Sequence, residues 1–351
     1  AGFSLSLFRC SFAAVAACRI RVPRLLLLEC GAFPFCPVPE SMRKLLLLLG
    51  VFCSLHATAL TLNMPPPGED MVGELIKVTV ADYKDTVNTY AEAYGVGFRQ
   101  LVAANPGVNP WVPGEGTELV LPLQFILPPG ERTGIVINLA ELRMYHYQPD
   151  GRTVETYPIG IGREGWETPL VDGAKVLNVI KDPTWVPPAS IRADHLAMGH
   201  RLPAMVPPGP DNPMGPWAVQ LSTRGYYIQG TNKELGIGMR VSAGCIRMYN
   251  PDVEQFARRV ARGTTVRIVN SPVKVGWKQD ELYVEVHEAL EEQRAVHVPE
   301  ADVADAIHLA RQLSSAPVEI NWVDAKAAAV RKSGMPVRVS ADASAGIASS
   351  R

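Results

Sequence analysis

The side chains of this 351-residue chain with the most chemical potential lie between Tyr226 and Asp252, in the run YYIQGTNKELGIGMRVSAGCIRMYNPD. Cys245 sits there on a turn, with Ser242 and Gly244 just before it and Arg247 two residues after it. Gly236, Gly238 and Gly244 break any helical reading and let backbone come close to a ligand. Tyr226 and Ile228 share one face and Tyr227 and Gln229 the other, the period of a short strand leading into a turn. A single thiol in such a place is either a nucleophile or a small buried apolar residue. Spacing alone leaves both open.

The elements that must hold this turn read as β structure. Gly134 to Leu139 and Leu142 to Tyr147 form a hairpin-like pair, and Val154 to Ile161 follows, rich in β-branched residues. Ala218 to Leu221 leads into the motif. Thr265 to Val269 is expected to close the sheet, and Leu282 to His287 follows it. Short strands at close spacing with Gly and Pro turns argue for a mainly β domain of sandwich or barrel type. A short helix is expected from Asp252 to Arg262, capped by Asn250 or Asp252, with Val253, Phe256, Ala257 and Val260 inward. Pro183 to Asn212 is irregular and proline-rich, as functional loops and lids are.

Before this domain, Ile76 to Val80 alternates as a strand. Asp85 is expected to cap a helix whose Val87, Tyr90, Ala91 and Tyr94 share a face, ended by Gly95. Phe98, Leu101 and Val102 mark a second helix, stopped at Asn105-Pro106-Gly107, and Glu118 to Leu121 is another strand. Leu127-Pro-Pro-Gly130 reads as a stiff linker. From Glu288 the tail carries a helical segment, Ala301 to Leu313, then Val318 to Trp322 and Ala325 to Val330. Its Ala/Ser-rich end is expected to be disordered.

Met42-Arg-Lys, the apolar run Leu45 to Cys53 and Ala57-Thr58-Ala59 make a signal peptide with cleavage after Ala59. Residues 1–41 read as an upstream extension, with a longer true leader as the alternative. Residues 1–59 hold six basic and two acidic residues, a net of +4; with −1 for the whole chain, residues 60–351 carry about −5. That balance gives no sign of the basic face that nucleic-acid binding wants. Five of the six cysteines (Cys10, Cys18, Cys30, Cys36, Cys53) leave with the leader, so Cys245 remains alone in an oxidising compartment. The seven histidines are scattered and no CxxC exists, so neither a metal nor another cofactor is expected. No transmembrane stretch follows residue 60.

With these residues in view, QGTNKELGIGMRVSAGCIRMYNPD resembles the active-site motif of the L,D-transpeptidases with a YkuD-type catalytic domain. The matching positions are Gly230, Thr231, Asn232, Gly236, Gly238, Arg240, Ser242, Gly244, Cys245, Ile246 and Arg247. The strands from Ile135 onward and Thr168-Pro169 are similar to the opening of that domain, and the resemblance spans roughly 125–290. The catalytic domain is then 132–270, with a C-terminal extension over 271–351. Residues 76–122 resemble a LysM module, a small β-α-α-β glycan-binding fold.

The resemblance implies acyl transfer at the cell wall. Cys245 would be the nucleophile, with backbone N–H groups around Gly244 and Cys245 as oxyanion donors. Ser242 would polarise the site or cap the turn. Arg247 would lower the thiol pKa, hold a substrate carboxylate, or tie the turn to Asp252. Gly230, Thr231 and Asn232 would form the adjoining substrate turn, with Thr231 and Asn232 fixing its shape. Trp185 and His200 would line the donor cleft, unless Trp185 anchors its loop to the core. The implied partners are peptidoglycan stem peptides and glycan, with an envelope lipoprotein as one acceptor, in the periplasm. The family's base histidine falls on Gln229, 16 positions before Cys245. An amide takes no proton near neutral pH. Either the thiolate acts unaided, or His195 or His200 substitutes, or the protein binds peptidoglycan without catalysis.

Overall fold

The computed structural model describes residues 60–314 and 318–341. The upstream extension, the signal peptide and the expected disordered end lie outside them. The described residues form one compact unit. The fold is mainly β, and no helix among the described residues is long and apolar enough to cross a membrane.

In chain order the elements begin with β1 (Leu60–Asn63), β2 (Met71–Thr79), α1 (Val87–Tyr94), α2 (Phe98–Ala104) and β3 (Glu118–Ile126). Next come β4 (Ile135–Asn138), β5 (Arg143–Tyr147), β6 (Thr153–Pro158), β7 (Ile161–Gly162), β8 (Val171–Lys181) and α3 (Ala189–Ala197). Then follow β9 (Trp217–Leu221), β10 (Tyr227–Gln229), β11 (Arg240–Ser242), β12 (Ile246–Arg247), α4 (Asn250–Ala257) and β13 (Thr265–Val269). The chain continues through β14 (Val273–Lys278), β15 (Glu281–Val286), α5 (Pro299–Leu313), α6 (Trp322–Arg331) and β16 (Val337–Arg338).

Nine strands form one sheet in the order β1-β6-β5-β4-β13-β8-β9-β10-β12. Its neighbours run antiparallel except for two parallel pairs, β4 with β13 and β10 with β12. Thr265 to Val269 therefore does not close the sheet. It lies in the middle, between β4 and β8, where its alternate residues Val266 and Ile268 are buried.

Strand period explains how the sheet serves two cores. Ile135 and Ile137 of β4 and Met144 of β5 enter one cluster with Ile228, Ile246 and Phe256. Val136, Tyr145 and Tyr147 point the other way, into a second cluster with Leu101, Leu119, Leu121 and Phe125. Successive strand side chains alternate between faces, so a run buried at every position needs cover on both. The second cover is residues 71–126, where β2 and β3 pair over nine residues and carry α1 and α2. Leu127, expected in a linker, is 3 % exposed and belongs to this shared core. Each such fully buried Leu or Phe contributes about 1.5–3 kcal/mol.

Two caps differ from expectation. Thr86, not Asp85, caps α1 through a reciprocal pair of bonds with Thr89, and Asp85 accepts instead from the Tyr90 hydroxyl at 2.9 Å. α4 starts at Asn250 with no side-chain cap, because the Asn250 side chain is used elsewhere and Glu234 Oε1 accepts the Asn250 N–H at 2.7 Å.

The C-terminal extension is more than a helical tail. β14, β15 and the two-residue β16 form an antiparallel sheet that packs under α5 and α6 around Leu282, Val284, Ile307 and Ala329. Its buried Lys274 ammonium meets Glu141 at 2.9 Å, Glu285 at 2.8 Å and the Ile126 carbonyl at 2.6 Å. Glu285 in turn accepts the Ile126 N–H at 2.6 Å. Glu141, Glu285 and His287 place their ligand-type atoms within 4.8 Å of one another, and Lys274 supplies the positive charge there. One lysine thus ties β14 to the end of β3, to the β4–β5 connection and to β15.

Candidate active site

β10 and β12 run parallel at one edge of the sheet, with Ile228 beside Ile246 and Gln229 beside Arg247. Both isoleucines are fully buried, and they turn Tyr227, Gln229, Cys245 and Arg247 away from the core. The strands are short because glycines interrupt them. Gly244 has φ +101°, left-handed backbone that other residues enter only under strain. A Cβ there would also lie 3.0 Å from the Tyr226 ring.

The turn is held from inside and outside. Within it, the Ser242 hydroxyl donates to the Cys245 carbonyl at 2.6 Å and accepts the Gly244 N–H at 3.1 Å. From outside, the buried Thr168 hydroxyl donates to the Gly244 carbonyl at 2.8 Å and accepts the Gly162 N–H at 3.0 Å. Ser242 is therefore a turn cap. The Gly244 N–H is taken, which corrects its assignment as an oxyanion donor. The Cys245 N–H meets no protein acceptor among the described residues and is the amide left to face a developing negative charge.

Cys245 is a free, half-buried thiol, 3.8 Å from the Gly225 carbonyl. Burial pushes its pKa up, against the opposing pull of the Tyr227 N–H and the Arg247 charge. Arg247 does not lower the thiol below its usual value. Nor does it brace Asp252: its buried Nε has no partner, and neither oxygen of the buried Asp252 carboxylate has one. Burial lowers the pKa of Arg247. A partly buried guanidinium with a spare donor is suited to a carboxylate.

Gln229 is 6 % exposed, and its amide donates to the Pro213 carbonyl at 3.0 Å. Gly230 lies close under Asn250 and Pro216, where a Cβ would meet Asn250 Oδ1 at 2.4 Å. The Asn250 side chain grips the Thr231 backbone twice, accepting its N–H and donating to its carbonyl, each at 2.9 Å. Thr231 Oγ1 accepts the Lys233 N–H at 3.0 Å, and Asn232 donates to the Asp211 carbonyl at 3.0 Å. Thr231 and Asn232 are thus committed to the turn.

Residues 183–212 are less irregular than expected, since they contain α3. None of its side chains is buried, and Asp194 ties it to Arg163 at 2.8 Å. Trp185 is half-buried and pairs through its backbone with Val206, across the base of the segment. His200 is exposed. No hydrogen bond joins either side chain to the Cys245 turn among the described residues. The structure thus gathers Cys245, Ser242, Gly244, Arg247, Gln229, Gly230, Thr231 and Asn232, and sets Trp185 and His200 apart on the neighbouring segment.

Sequence reasoning missed Thr168, Asn250, Arg163 and Arg240 as supports of the site. Thr168-Pro169 was the available signal for the first, since a Thr before Pro in a loop has a hydroxyl free for remote backbone. The Asn250–Thr231 and Arg163–Asp194 contacts span too much sequence to leave a local trace.

Comparison with known proteins places the chain in a family. The profile of the YkuD L,D-transpeptidase catalytic domain matches residues 132–268. The chain is 42% identical over 294 residues to the probable L,D-transpeptidase ErfK/SrfK of Escherichia coli K12, covering 83% of this chain and 94% of that one. It is 44% identical over 250 residues to the probable L,D-transpeptidase YcfS of the same strain, covering 69% and 77%. Among solved structures, an Enterococcus faecium L,D-transpeptidase superposes with a TM-score of 0.31 at 18% identity, covering 65% of this chain and 81% of that one. The chain belongs to the L,D-transpeptidase family.

Proposed function

We propose that this protein is an exported, periplasmic acyltransferase of peptidoglycan that works through a thioester on Cys245. The observation that carries the reading is the half-buried free thiol on a turn whose own N–H is unengaged, beside an Arg247 guanidinium with a spare donor. The Cys245 thiolate attacks an amide carbonyl of a stem peptide, and the carbonyl oxygen takes the negative charge toward the Cys245 N–H. That attack forms the C–S bond; collapse of the tetrahedral intermediate then restores the C=O, breaks the C–N bond and releases the donor's terminal amine, which takes up a proton. An acceptor amine then attacks the thioester, loses a proton and frees the thiolate. The acceptor is a second stem or an envelope lipoprotein. With an amide at position 229, the thiol proton leaves to water rather than to a fixed imidazole. Residues 71–126, with their β-α-α-β order, are proposed to hold the glycan strand.

Intact-mass spectrometry after incubation with a carbapenem tests this reading. One adduct on the parent protein and none on Cys245→Ala supports it, and no adduct on folded parent protein overturns it.

The Gln229–Pro213 bond favours a second reading, a wall-binding protein without catalysis. It is tested by binding to isolated sacculi. Binding that persists in Cys245→Ala, with unchanged crosslink composition in cells, supports it.

A further inference from the structure

β11 delivers Ser242, Gly244 and Cys245, yet it is three residues long and pairs only with the two-residue β7 through an irregular register. So small a ladder fixes little by itself. Its first residue, Arg240, has a side chain 5 % exposed. Nε donates to the Gly162 carbonyl of β7 at 3.0 Å. Nη1 reaches Glu292 Oε2 at 2.6 Å and also Glu291 Oε2, and Nη2 reaches Glu292 Oε1 at 3.2 Å. Both glutamates belong to a single 3-10 turn, Glu291–Gln293, in the C-terminal extension. Glu291 also meets Arg99 of α2 at 3.5 Å. Beside the junction lies a cavity of about 80 Å³, lined in part by Arg99, Leu142, Arg240 and Glu291.

We infer that the C-terminal extension positions the catalytic turn, through Glu291 and Glu292 gripping Arg240 at the root of β11. Forked, charge-assisted bonds are directional and stronger than neutral ones. They hold the guanidinium flat, and its Nε then holds β7 to β11. Tethered at that root, the turn keeps the Cys245 N–H and thiol in a fixed relation. Without the carboxylates, Arg240 is drawn toward water and the short ladder loosens. Arg240, Glu291 and Glu292 are positioning residues, since none touches Cys245. The inference goes beyond the proposed acyl transfer and rests on it only in the acylation readout below.

The test compares full-length parent, E291Q, E291Q/E292Q and the control E118Q, whose glutamate pairs with Lys77 on an exposed surface. Two rates at Cys245 are measured, acylation by a carbapenem and alkylation by iodoacetamide. The double variant is expected to acylate at least tenfold more slowly and to alkylate at least threefold faster, because a loosened turn exposes the thiol while losing its aim. E291Q falls between parent and double variant, and E118Q matches the parent. Acylation and alkylation both within twofold of the parent overturn the inference, as does an equal effect in E118Q. If the parent is not acylated, the acyl-transfer reading fails, and alkylation alone decides the inference. If the double variant does not fold, the parent is compared at 0.1 M and 1 M sodium chloride, since the glutamates are open enough to solvent for screening. Faster alkylation at high salt supports the grip, and an unchanged rate overturns it.

Discussion

The side-chain amide of Gln229 donates to the Pro213 carbonyl at 3.0 Å, and on the parallel neighbour strand Arg247 sits in register with it. An imidazole in the same place would give one N–H to that carbonyl. The bond would fix its tautomer and leave the other nitrogen as a base. Gln229→His is therefore expected to raise the rate of carbapenem acylation or stem-peptide transfer by about 10²–10⁴-fold. The variant's rate should also acquire a pH dependence near the histidine range. Equal rates in parent and variant would show that the missing imidazole is not limiting.

Asp252 lies seven residues after Cys245, buried, with both carboxylate oxygens unpartnered. Burial pushes its pKa up to about 7, against the pull of Arg143. A carboxyl whose pKa is higher folded than unfolded favours the fold while it is protonated. That contribution is complete below about pH 4 and is lost as pH rises through about 7. The loss amounts to a few kcal/mol over this window. Asp252→Asn should flatten the pH dependence of the urea midpoint between pH 4 and 8 and stabilise the protein at pH 8. An unchanged profile would mean that Asp252 titrates normally.

Thr168 joins Gly162 to Gly244 with one hydroxyl. Thr168→Val leaves a buried N–H and a buried carbonyl without their partner, at a cost of about 1–3 kcal/mol. Denaturant unfolding measures it, and the Cys245 alkylation rate should change in the same variant because the turn loses its outer tie.

The mainly β class was legible from period-2 runs and closely spaced turns, and the Cys245 turn from its glycines. What was hidden depends on pairing at a distance. Val136 and Ile135 look alike in the sequence, yet one faces residues 71–126 and the other the catalytic core. That is why Leu127-Pro-Pro-Gly130 read as a spacer between separate bodies. Thr265 to Val269 has the composition of any strand, and composition says nothing about insertion between β4 and β8. Val337–Arg338 is too short to carry a period, so the return of the chain to β15 left no signal. At the site, residue types were readable but commitments were not. The Gly244 amide read as free, and only the position of Ser242 Oγ shows that it is used.

Gly238 has φ +77°, and a Cβ there would lie 2.3 Å from the Phe98 nitrogen and 2.5 Å from Gly97 Cα. Gly238→Ala strains its own backbone, at about 1–3 kcal/mol, and must also push α2 away from the loop before β11. Thermal unfolding should show a clear loss, together with faster proteolysis between α1 and β3. Gly263, with φ +87° and open space around it, serves as the control, where alanine costs only the backbone strain.

Lys274→Met removes the ammonium shared by Glu141 and Glu285, leaving Glu141 buried without a cation and Glu285 with only His287 at 2.6 Å. A loss of about 3–5 kcal/mol is expected, read as a lower urea midpoint. A loss below about 1 kcal/mol would mean that water enters and solvates the glutamates.

The same lysine bears on how this enzyme can be divided. A fragment trimmed to the 132–268 boundaries would keep Glu141 and discard the ammonium that neutralises it, along with the apolar partners of Val136, Tyr145 and Tyr147. Such a minimal catalytic core would be sticky and acid-burdened. The buried partners it lacks lie in residues 71–126 and in β14.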